Sequence, residues 1–358
     1  MTKHVMIMAG GTGGHIFPGL AVADALQQHG AAVSWLGSAH GLENQIVPES
    51  GLPLFNIQVK ALRGKGALGW LLAPLRISKA VLQARRVLRK AQPSWVLSMG
   101  GFAAGPGGLA ARWLGIPLVV HEQNRRPGMT NRWLARWASV VCTGFAGAFD
   151  AAVKHLVTGN PVRAEIRALP EPTTRMAGRS DTLRVLILGG SLGARFLNTQ
   201  VPSVLAQLAA QAPLEVLHQC GKRGVQEAQE AYREAGVSAR VEAFIDDMAA
   251  VYGWADVVIC RAGALTVSEL MAAGVASILV PLPHAVDDHQ YANGETLSQA
   301  DAGLLVRQSQ WNKQQIADTL TAWSQDRQQL QTMANAARRL HPGDAAAQVA
   351  ELCLEVAR

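Results

Sequence analysis

The sequence lacks any apolar run long enough to cross a membrane. Its first apolar run, residues 5–9, ends at Gly10, which makes it too short for the core of a signal peptide. No other run approaches the roughly 20 residues that a membrane-spanning helix needs. We therefore expect a protein that is soluble or bound to a membrane surface.

Acidic residues are scarce in the first half of the chain. None occurs between Ser50 and His121, a stretch that contains ten lysines and arginines. Residues 1–163 carry 17 basic and 5 acidic residues, whereas residues 164–358 carry 16 and 21. This asymmetry predicts an anionic partner for the first half, either a nucleic acid or an anionic membrane surface.

Cysteine is also rare. The four cysteines are far apart, form no C-x-x-C pair and lie mostly in or beside apolar runs: Cys142, Cys220, Cys260 and Cys353. We expect buried, reduced thiols, which fit a reducing cytoplasm. A D-x-D pair placed as a metal clamp is missing as well. The adjacent acids at 246–247 and 287–288 are interpreted as a helix start and a loop.

The layout of the chain predicts an α/β fold with two similar halves. An apolar strand, a glycine-rich turn and an amphipathic helix open the chain, and the same order returns at residue 183. The predicted strands are residues 5–9, 33–36, 95–98, 117–120, 140–143, 183–188, 214–219, 240–244, 257–260 and 276–280. We expect domains at 1–163 and 164–341, with 168–181 as the linker. The last helix, 342–358, is expected to pack back on the first domain.

A dinucleotide site is disfavoured. The first glycine turn, residues 10–15 (GGTGGH), does not have the G-x-G-x-x-G spacing, and the second strand ends in Gly37 and Ser38 without an acid for an adenosine ribose. A nicotinamide-dependent dehydrogenase is therefore the weakest reading. The doubled glycine pairs of the turn suggest a ligand close to the backbone. His15 fits a catalytic base and a structural histidine equally well.

The stretch RAGALTVSE, residues 261–269, follows a buried strand and begins a helix. The first amides of such a helix suit a phosphate or diphosphate, and Glu269 can accept hydrogen bonds from sugar hydroxyls. An ordinary turn with a capping acid is the simpler alternative. The polar cluster HEQN, residues 121–124, ends another predicted strand, where the ligand site of an α/β sheet lies.

The segment of residues 62–90 is basic, with an apolar edge at Trp70, Leu71, Leu72 and Leu75. A basic helix with an apolar edge is typical of binding at an anionic membrane surface. A packed helix with a solvated basic face is the alternative. Few aromatic residues are interleaved with the charges, which disfavours a nucleic acid.

Taken in order, these motifs resemble the MurG family of UDP-N-acetylglucosamine transferases along essentially the whole chain. The motifs that carry the resemblance are GGTGGH, RGKG (63–66), MGGFAAGPGG, HEQN, GNPVR, GGSLGAR, FIDDM, GALTVSE and DHQ. The resemblance implies a GT-B fold, in which two Rossmann-like domains face each other across a cleft that holds the active site. It also implies a peripheral protein at the cytoplasmic face of the plasma (inner) membrane, and it leaves open protein partners in cell-wall synthesis.

The reaction implied by the resemblance is the transfer of N-acetylglucosamine from UDP-N-acetylglucosamine to lipid I. The sugar is transferred with inversion to the C4 hydroxyl of the muramyl sugar, which gives lipid II for peptidoglycan synthesis. Neither a metal nor another cofactor is implied. Two other functions stay open: a nucleotide-sugar epimerase on the same fold, and a membrane-docked UDP-sugar sensor without catalysis.

The resemblance also implies roles for individual residues. His15 is the candidate base, Ile245 contacts the uracil through its backbone, and Gln290 binds the transferred sugar. The implied donor-binding residues are Thr12, Gly13, Gly14, Asn124, Arg163, Ser191, Ile245, Ala264, Leu265, Thr266, Val267, Ser268, Glu269 and Gln290. The chain departs from the family pattern at Arg125 and Arg126, where small or apolar residues are common, and this departure is expected to alter acceptor contacts.

Overall fold

The structure is a computed structural model that describes residues 3–59, 73–179, 182–190, 193–283 and 286–356. The chain forms two compact units. Unit 1 consists of Met1–Val162 and Asp344–Arg358, and unit 2 consists of Arg163–Gly343. Among the described residues, no helix combines the length and the apolar character that crossing a bilayer requires.

Unit 1 contains a parallel sheet of seven strands in the order β3-β2-β1-β4-β5-β6-β7. The strands are β1 (His4–Ala9), β2 (Ala32–Ser38), β3 (Leu54–Ile57), β4 (Trp95–Gly100), β5 (Leu118–Glu122), β6 (Val140–Thr143) and β7 (Leu156–Val157). Because side chains alternate along a strand, β1 contributes apolar side chains to the core on both faces of the sheet. Val5 and Ile7 belong to one core cluster, and Met6 and Met8 to another.

Helices cover both faces of this sheet. In chain order they are α1 (Gly13–Gln28), α2 (Glu43–Glu49), α3 (Ala73–Ala91), α4 (Ala104–Leu114) and α5 (Met129–Leu134). The buried side chains of α1 pack in the cluster with Val5, and those of α3 and α4 pack in the cluster with Met6. A parallel sheet buried on both faces explains why its strands read as continuous apolar runs.

Unit 2 contains a second parallel sheet, in the order β10-β9-β8-β11-β12-β13. The strands are β8 (Leu183–Leu188), β9 (Leu214–Gln219), β10 (Arg240–Glu242), β11 (Val257–Cys260), β12 (Ala276–Leu279) and β13 (Gly303–Leu305). Val185 and Val257 are paired partners in register, and both lie in the core cluster of this unit.

The remaining helices follow in chain order. They are α6 (Ala164–Arg167), α7 (Pro172–Met176), α8 (Arg195–Ala209), α9 (Val225–Ala235), α10 (Met248–Trp254), α11 (Ala264–Ala273), α12 (His289–Ser298), α13 (Lys313–Gln325), α14 (Arg327–Arg339) and α15 (Ala345–Val356). Short 3-10 turns lie at Val286–Asp288 and Gln308–Gln310. Helix α15 is part of unit 1: it packs on α1, and its residues Val349, Ala350 and Cys353 are buried in the core cluster of Val5.

The sheets confirm the predicted fold class of two Rossmann-like parallel-sheet units. All ten predicted strands are present, four of them with the predicted bounds. Three strands were missed: β3, β7 and β13. The four cysteines are free and buried, as predicted.

The interpretation of residues 168–181 as a linker was wrong for the part that the structure describes. Helix α7 lies in this segment, and Arg175 donates hydrogen bonds to the carbonyls of Ala273 and Gly274 at the end of α11. Arg179 pairs with the buried Asp256 of the same unit. A content of Pro, Thr and Arg is typical of a linker, but here the arginines fix the segment by pairing with carbonyls at a helix end.

In each sheet the strand order reverses between one pair of neighbouring strands: successive strands are added toward one edge before this point and toward the other edge after it. In unit 1 these strands are β1 and β4, and in unit 2 they are β8 and β11. Ligands of open parallel sheets bind beyond the carboxyl ends of the strands at this point. The segments that follow these four strands, beginning at residues 10, 101, 189 and 261, are therefore the candidate positions of a site.

Candidate functional site

The first glycine turn of unit 1 leads directly into helix α1. The sequence predicted a turn over residues 10–15, but the helix already begins at Gly13, so that His15 lies in its first turn. Thr12 occupies the N-cap position in an extended conformation and makes no side-chain cap hydrogen bond. Thr12 and Gly14 are exposed, and Gly13 and His15 are half-buried. The turn therefore presents free helical amides together with an accessible imidazole.

A buried carboxylate, that of Glu43, accepts a hydrogen bond from the backbone of this turn and so fixes its position. Its Oε2 accepts a hydrogen bond from the amide of Gly11 at 3.0 Å, and its Oε1 accepts from the amide and the hydroxyl of Ser38 at 2.8 and 2.6 Å. A Cβ on Gly10 would lie 2.4 Å from Oε1, so only glycine fits there. Burial alone would raise the pKa of Glu43, but these hydrogen bonds outweigh it and lower the pKa.

The second glycine turn of unit 1 packs against the first. The register between β1 and β4 shifts after Met8, which places Gly100 opposite Ala9. A Cβ on Gly101 would lie 2.2 Å from the carbonyl oxygen of Gly10, and a Cβ on Gly100 would lie 3.2 Å from Nδ1 of His15. Both glycines have positive φ. The close approach of the two turns thus depends on glycine at 100 and 101.

The HEQN cluster supplies a chain of hydrogen bonds that ends at His15. Gln123 joins two histidines: its Oε1 lies 2.9 Å from Nδ1 of His15, and its Nε2 lies 3.0 Å from Nδ1 of His121. Nε2 of His121 lies 2.9 Å from the carbonyl oxygen of Gly159. His121 and Gln123 are buried. Burial lowers the pKa of His121 to about 4, which keeps its ring neutral at pH 7.

Glu122, also buried, folds the loop that follows the cluster. Its Oε1 accepts hydrogen bonds from the amide and the side chain of Asn124 at 2.9 and 3.1 Å. Its Oε2 accepts from the amide of Gly128 at 3.1 Å and from Asn131 at 3.0 Å. Asn124 is half-buried, and the two departures from the family pattern, Arg125 and Arg126, lie inside this loop.

In unit 2 the stretch 261–269 has the predicted strand–turn–helix form. Gly263 is the N-cap of α11 and offers no side-chain hydrogen bond to the first amides of the helix. Ala264, Leu265 and Thr266 are half-buried. Val267 and Ser268 are buried, and the Ser268 hydroxyl donates to the carbonyl of Ala264 at 2.9 Å. Both side chains are thus largely withdrawn from the surface.

Glu269 lies between two partners. Arg163 donates to its Oε1 at 3.2 Å, and the hydroxyl of Tyr252 donates to its Oε2 at 3.0 Å. Burial raises the pKa of Glu269, and the charge of Arg163 with the Tyr252 hydrogen bond opposes that shift. Burial and the neighbouring carboxylate raise the pKa of Tyr252 well above its ordinary value, so the phenol stays a hydrogen-bond donor.

The turn after β8 is braced by Gln219 at the end of β9. The side-chain oxygen of Gln219 accepts from the amide of Gly190 at 2.9 Å, and its nitrogen donates to the carbonyls of Gly190 and Ala243 at 3.0 Å. Ala243 precedes the loop of Ile245, which is buried. Ser191, predicted at this turn, lies outside the described residues.

Gln290 lies in the first turn of α12, and its side-chain oxygen accepts a hydrogen bond from the amide of Leu282 at 2.9 Å. The helix is anchored next to it by Arg307, which pairs with Asp288 at 2.7 Å and stacks on the ring of Tyr291 at 3.7 Å. The loop thus holds the oxygen of the Gln290 amide.

The paired acids have the structural roles that the sequence indicated. Asp247 caps helix α10 by accepting from the amide of Ala250 at 2.9 Å, and Asp288 is the N-cap of α12 at the end of its loop. Over the part of the chain that the structure describes, no three His, Cys, Asp or Glu side chains group together as metal ligands would.

Sequence reasoning missed Glu43, Tyr252 and Gln219, whose partners are 32, 17 and 29 residues away along the chain. Only Gln219 carried a signal, because it is a polar residue at the carboxyl end of an apolar strand. Gln123 lay in a singled-out motif but received no role.

Comparison with known proteins extends over both units. The Glycosyltransferase family 28 N-terminal domain matches residues 5–143, and the Glycosyltransferase family 28 C-terminal domain matches residues 184–350. A protein of Marinobacter nauticus named UDP-N-acetylglucosamine–N-acetylmuramyl-(pentapeptide) pyrophosphoryl-undecaprenol N-acetylglucosamine transferase is 51% identical over 355 residues, covering 99% of this chain and 98% of that protein. An Aeromonas hydrophila protein of the same name is 52% identical, covering 100% of this chain and 98% of that protein.

A solved structure gives the same result. The crystal structure of Acinetobacter baumannii MurG is 42% identical in sequence, covers 99% of either chain and superimposes with a TM-score of 0.88. Together with the two parallel-sheet units, these matches confirm the GT-B fold class. The chain therefore belongs to glycosyltransferase family 28 and, within it, to the MurG family of UDP-N-acetylglucosamine–N-acetylmuramyl-(pentapeptide) pyrophosphoryl-undecaprenol N-acetylglucosamine transferases.

Proposed function

We propose that this chain transfers N-acetylglucosamine from UDP-N-acetylglucosamine to the C4 hydroxyl of the muramyl sugar of lipid I, which produces lipid II. The observation that carries the proposal is the N-terminus of helix α11 with Glu269. Amides without a side-chain cap suit a diphosphate, and a carboxylate one and a half turns along the helix suits the ribose hydroxyls. A nucleoside-diphosphate donor needs both.

The leaving diphosphate would be stabilised by fixed dipoles and one cation. The amides at Ala264, Leu265 and Thr266 are held in place by the helix, and Arg163 is exposed beside Glu269. Such preorganised donors stabilise the developing charge without reorganising during the reaction. Ser191 is added to this group on the resemblance alone. Ile245 would contact the uracil, and Gln290 would donate from its amide nitrogen to the transferred sugar.

His15 would act as the base of a single displacement. Its imidazole takes the proton of the acceptor hydroxyl, the hydroxyl oxygen bonds to C1 of the sugar, and the bond from C1 to the diphosphate breaks with its electron pair leaving on UDP. We assign donor contacts from unit 1 to Thr12, Gly13, Gly14 and Asn124. Residues 1–163 with 342–358 are proposed as the acceptor and membrane domain, and residues 164–341 as the donor domain.

Membrane binding would use helix α3. The prediction covered residues 62–90, of which residues 73–90 are described. Leu75 is 70% exposed and Leu82 is 46% exposed. Seven residues apart, they share one face of the helix, together with Lys79 and Arg86. Exposed leucines among cations suit the surface of a bilayer with anionic lipids, which would place the enzyme peripherally at the cytoplasmic face of the inner membrane.

The test is a transfer assay with labelled UDP-N-acetylglucosamine and a short-chain lipid I analogue. His15→Ala is expected to lower kcat on the order of 10²–10⁴-fold. Glu269→Ala is expected to raise KM for the UDP-sugar. The exposed residues His40 and Glu234 supply the matched controls His40→Ala and Glu234→Ala, which should behave like the wild type.

The other outcomes separate the alternatives. UDP-sugar binding without product would exclude the transferase and favour the sensor. Release of an epimerised UDP-sugar without transfer would favour the epimerase. Full activity of His15→Ala would leave the transferase in place and remove His15 as the base.

A further inference from the structure

We infer that Gln123 is a positioning residue that, together with His121, holds the hydrogen of the neutral His15 ring on Nδ1 and leaves Nε2 as the proton acceptor. The assignment deepens the proposed function, because it takes His15 as the base. It is carried by four hydrogen bonds within unit 1: two end on backbone carbonyl oxygens, which can only accept, and these fix the directions of the other two.

The first direction is set by the backbone of Gly159. Its carbonyl oxygen can only accept, so Nε2 of His121, 2.9 Å away, must carry a hydrogen. The His121 ring is fully buried, and burial keeps it neutral by lowering its pKa to about 4. A neutral imidazole has a single N–H. Nδ1 of His121 is therefore a lone pair.

This lone pair and a second acceptor orient the amide of Gln123. Nε2 of Gln123 lies 3.0 Å from Nδ1 of His121 and 3.1 Å from the His121 carbonyl oxygen. Only the amide nitrogen can donate to two acceptors, so the opposite orientation of the amide would place an oxygen against two lone pairs. The amide oxygen of Gln123 must consequently face the other way, toward His15.

The orientation of Gln123 then fixes the tautomer of His15. The Gln123 oxygen lies 2.9 Å from Nδ1 of His15 and can only accept, so Nδ1 carries the hydrogen. Nε2 keeps its lone pair, and the structure records no partner for it among the described residues. Glycine at position 100 leaves room for this ring orientation, because a Cβ there would lie 3.2 Å from Cε1 and Nδ1.

The consequence for catalysis is control of the proton-accepting atom. A free neutral imidazole exchanges its hydrogen between the two nitrogens, and the partner of one nitrogen decides the state of the other. Gln123 does this for His15 as the carboxylate does for the histidine of a serine protease, where the wrong tautomer costs about 10⁴-fold in kcat. Here the orienting partner is a neutral amide whose direction is set by a second, buried histidine.

The direct test is a ¹⁵N spectrum of the full chain labelled at histidine, followed to alkaline pH until the His15 ring is neutral. His15→Ala identifies the two His15 signals by their loss. In the wild type we expect a pyrrole-like Nδ1 and a pyridine-like Nε2. Gln123→Met removes both amide groups at similar length, and its His15 signals are expected to shift toward a mixture of the two tautomers.

Kinetics give the second readout. Gln123→Met is expected to lower kcat by roughly 10- to 10³-fold, less than a wholly wrong tautomer costs, with an unchanged KM for UDP-N-acetylglucosamine. Gln123→Glu can keep an acceptor for Nδ1 of His15 when its second oxygen carries a proton and donates to His121, and in that state it is expected to retain the wild-type tautomer and more kcat than Gln123→Met. Gln27→Met, on the exposed end of α1, is the control for the substitution itself.

The outcomes are separable from those of the proposed function. A wild-type ring with its hydrogen on Nε2 would overturn the inference even in a fully active enzyme. The expected tautomer in an enzyme without transferase activity would reject the proposed reaction and leave the assignment intact. If Gln123→Met lost kcat only in proportion to lost folded protein, with an unshifted tautomer, Gln123 would be a structural residue and the inference would fail.

Discussion

The hydroxyl of Tyr252 donates to one oxygen of Glu269, while Arg163 contacts the other. The carboxylate is thus held in one direction before any donor arrives. Ligand groups fixed in this way bind more tightly because less freedom is lost on binding. If Glu269 binds the ribose as proposed, Tyr252 contributes to that recognition without touching the ribose.

Tyr252→Phe removes this hydroxyl and keeps the buried ring. We expect the affinity for UDP to fall by about 5- to 30-fold, the equivalent of about 1–2 kcal/mol for one hydrogen bond to a charged group. The measurement is calorimetric titration with UDP and with 2′,3′-dideoxy-UDP. Because the dideoxy analogue has no hydroxyl for Glu269, its affinity should be unaffected. An equal loss for both ligands would contradict the ribose role.

Glu43→Gln tests the brace beneath the first glycine turn. Oε2 accepts from Gly11 and Oε1 from Ser38, so an amide would turn its NH₂ group toward one of these donors. We expect the free energy of unfolding to fall by about 2–4 kcal/mol in urea denaturation, since charge-assisted hydrogen bonds at a buried group are lost. Glu49→Gln, at an exposed position of the same helix, is the control. Equal stability of the two variants would show that the charge of Glu43 is dispensable.

At the scale of single residues, sequence reasoning reached positions but not partners. It placed His15, Asn124 and Glu269 at the ends of strands because apolar runs and glycine turns mark those ends. It had no means of finding that Glu43 supports Gly11 or that Tyr252 supports Glu269, because no local spacing encodes such contacts. Whether the predicted donor residues bind a donor stays a prediction.

Among the secondary-structure elements, every strand inside a sheet was predicted, whereas three of the four edge strands were missed. β8 and β11 are mostly buried apolar runs, β9 has an apolar start, and the bounds of all three were predicted correctly. β7 has only two residues, both exposed, and β13 has three half-buried residues, so neither produces a distinct pattern. Start signals also misled: α1 begins within the glycine turn, where low helix propensity argued against a helix.

Helix α3 is the element whose exposed face predicts a measurable membrane property. Leu75→Glu and Leu82→Glu place a charge on the apolar edge and repel anionic lipid. We expect each variant to bind vesicles containing anionic lipids at least about tenfold more weakly than the wild type, which corresponds to about 1.4 kcal/mol. Co-sedimentation with vesicles at low and at physiological salt is the measurement.

The control for this prediction is Leu156→Glu on strand β7, which changes a leucine whose exposure of 50% lies between those of Leu82 and Leu75. It should bind vesicles like the wild type. Binding that is equally weakened by all three substitutions would indicate a general effect of charge, and α3 would then have no special role. Unchanged turnover of a short-chain acceptor by Leu75→Glu would show that the loss concerns the membrane alone.

On the scale of the whole molecule, a neutral histidine is buried in either unit. His218 of unit 2 contacts the Tyr232 hydroxyl at 3.0 Å and the Asn198 side chain at 3.1 Å. Burial lowers the pKa of His218 to about 4, as it does that of His121 in unit 1. The unfolded chain takes up protons near pH 6.5, and the folded chain takes them up only near pH 4.

Stability should therefore fall as the pH is lowered through the window from about 6.5 to about 4, because the unfolded state binds more protons there. Each histidine contributes a loss of about 3 kcal/mol at the acid end. Thermal unfolding at several pH values measures this slope. The side chain of His218→Gln can still donate and accept hydrogen bonds but does not titrate. In this variant the stability of unit 2 should therefore depend less steeply on pH between about 6.5 and about 4. If the stability of His218→Gln fell with decreasing pH as steeply as that of the wild type, groups other than His218 would be responsible for the acid sensitivity.

Helix α15 completes the core of unit 1, although more than 180 residues of unit 2 separate it from the rest of that unit. During synthesis on a ribosome, the chain emerges from its N-terminus. Unit 2 can close its core as soon as residue 343 has emerged, whereas the part of α1 that packs on α15 stays uncovered until Val349 and Cys353 arrive. Unit 1 is thus synthesised first but completes its core last. Its nascent form exposes apolar surface for longer than that of unit 2, and such surface is what chaperones protect.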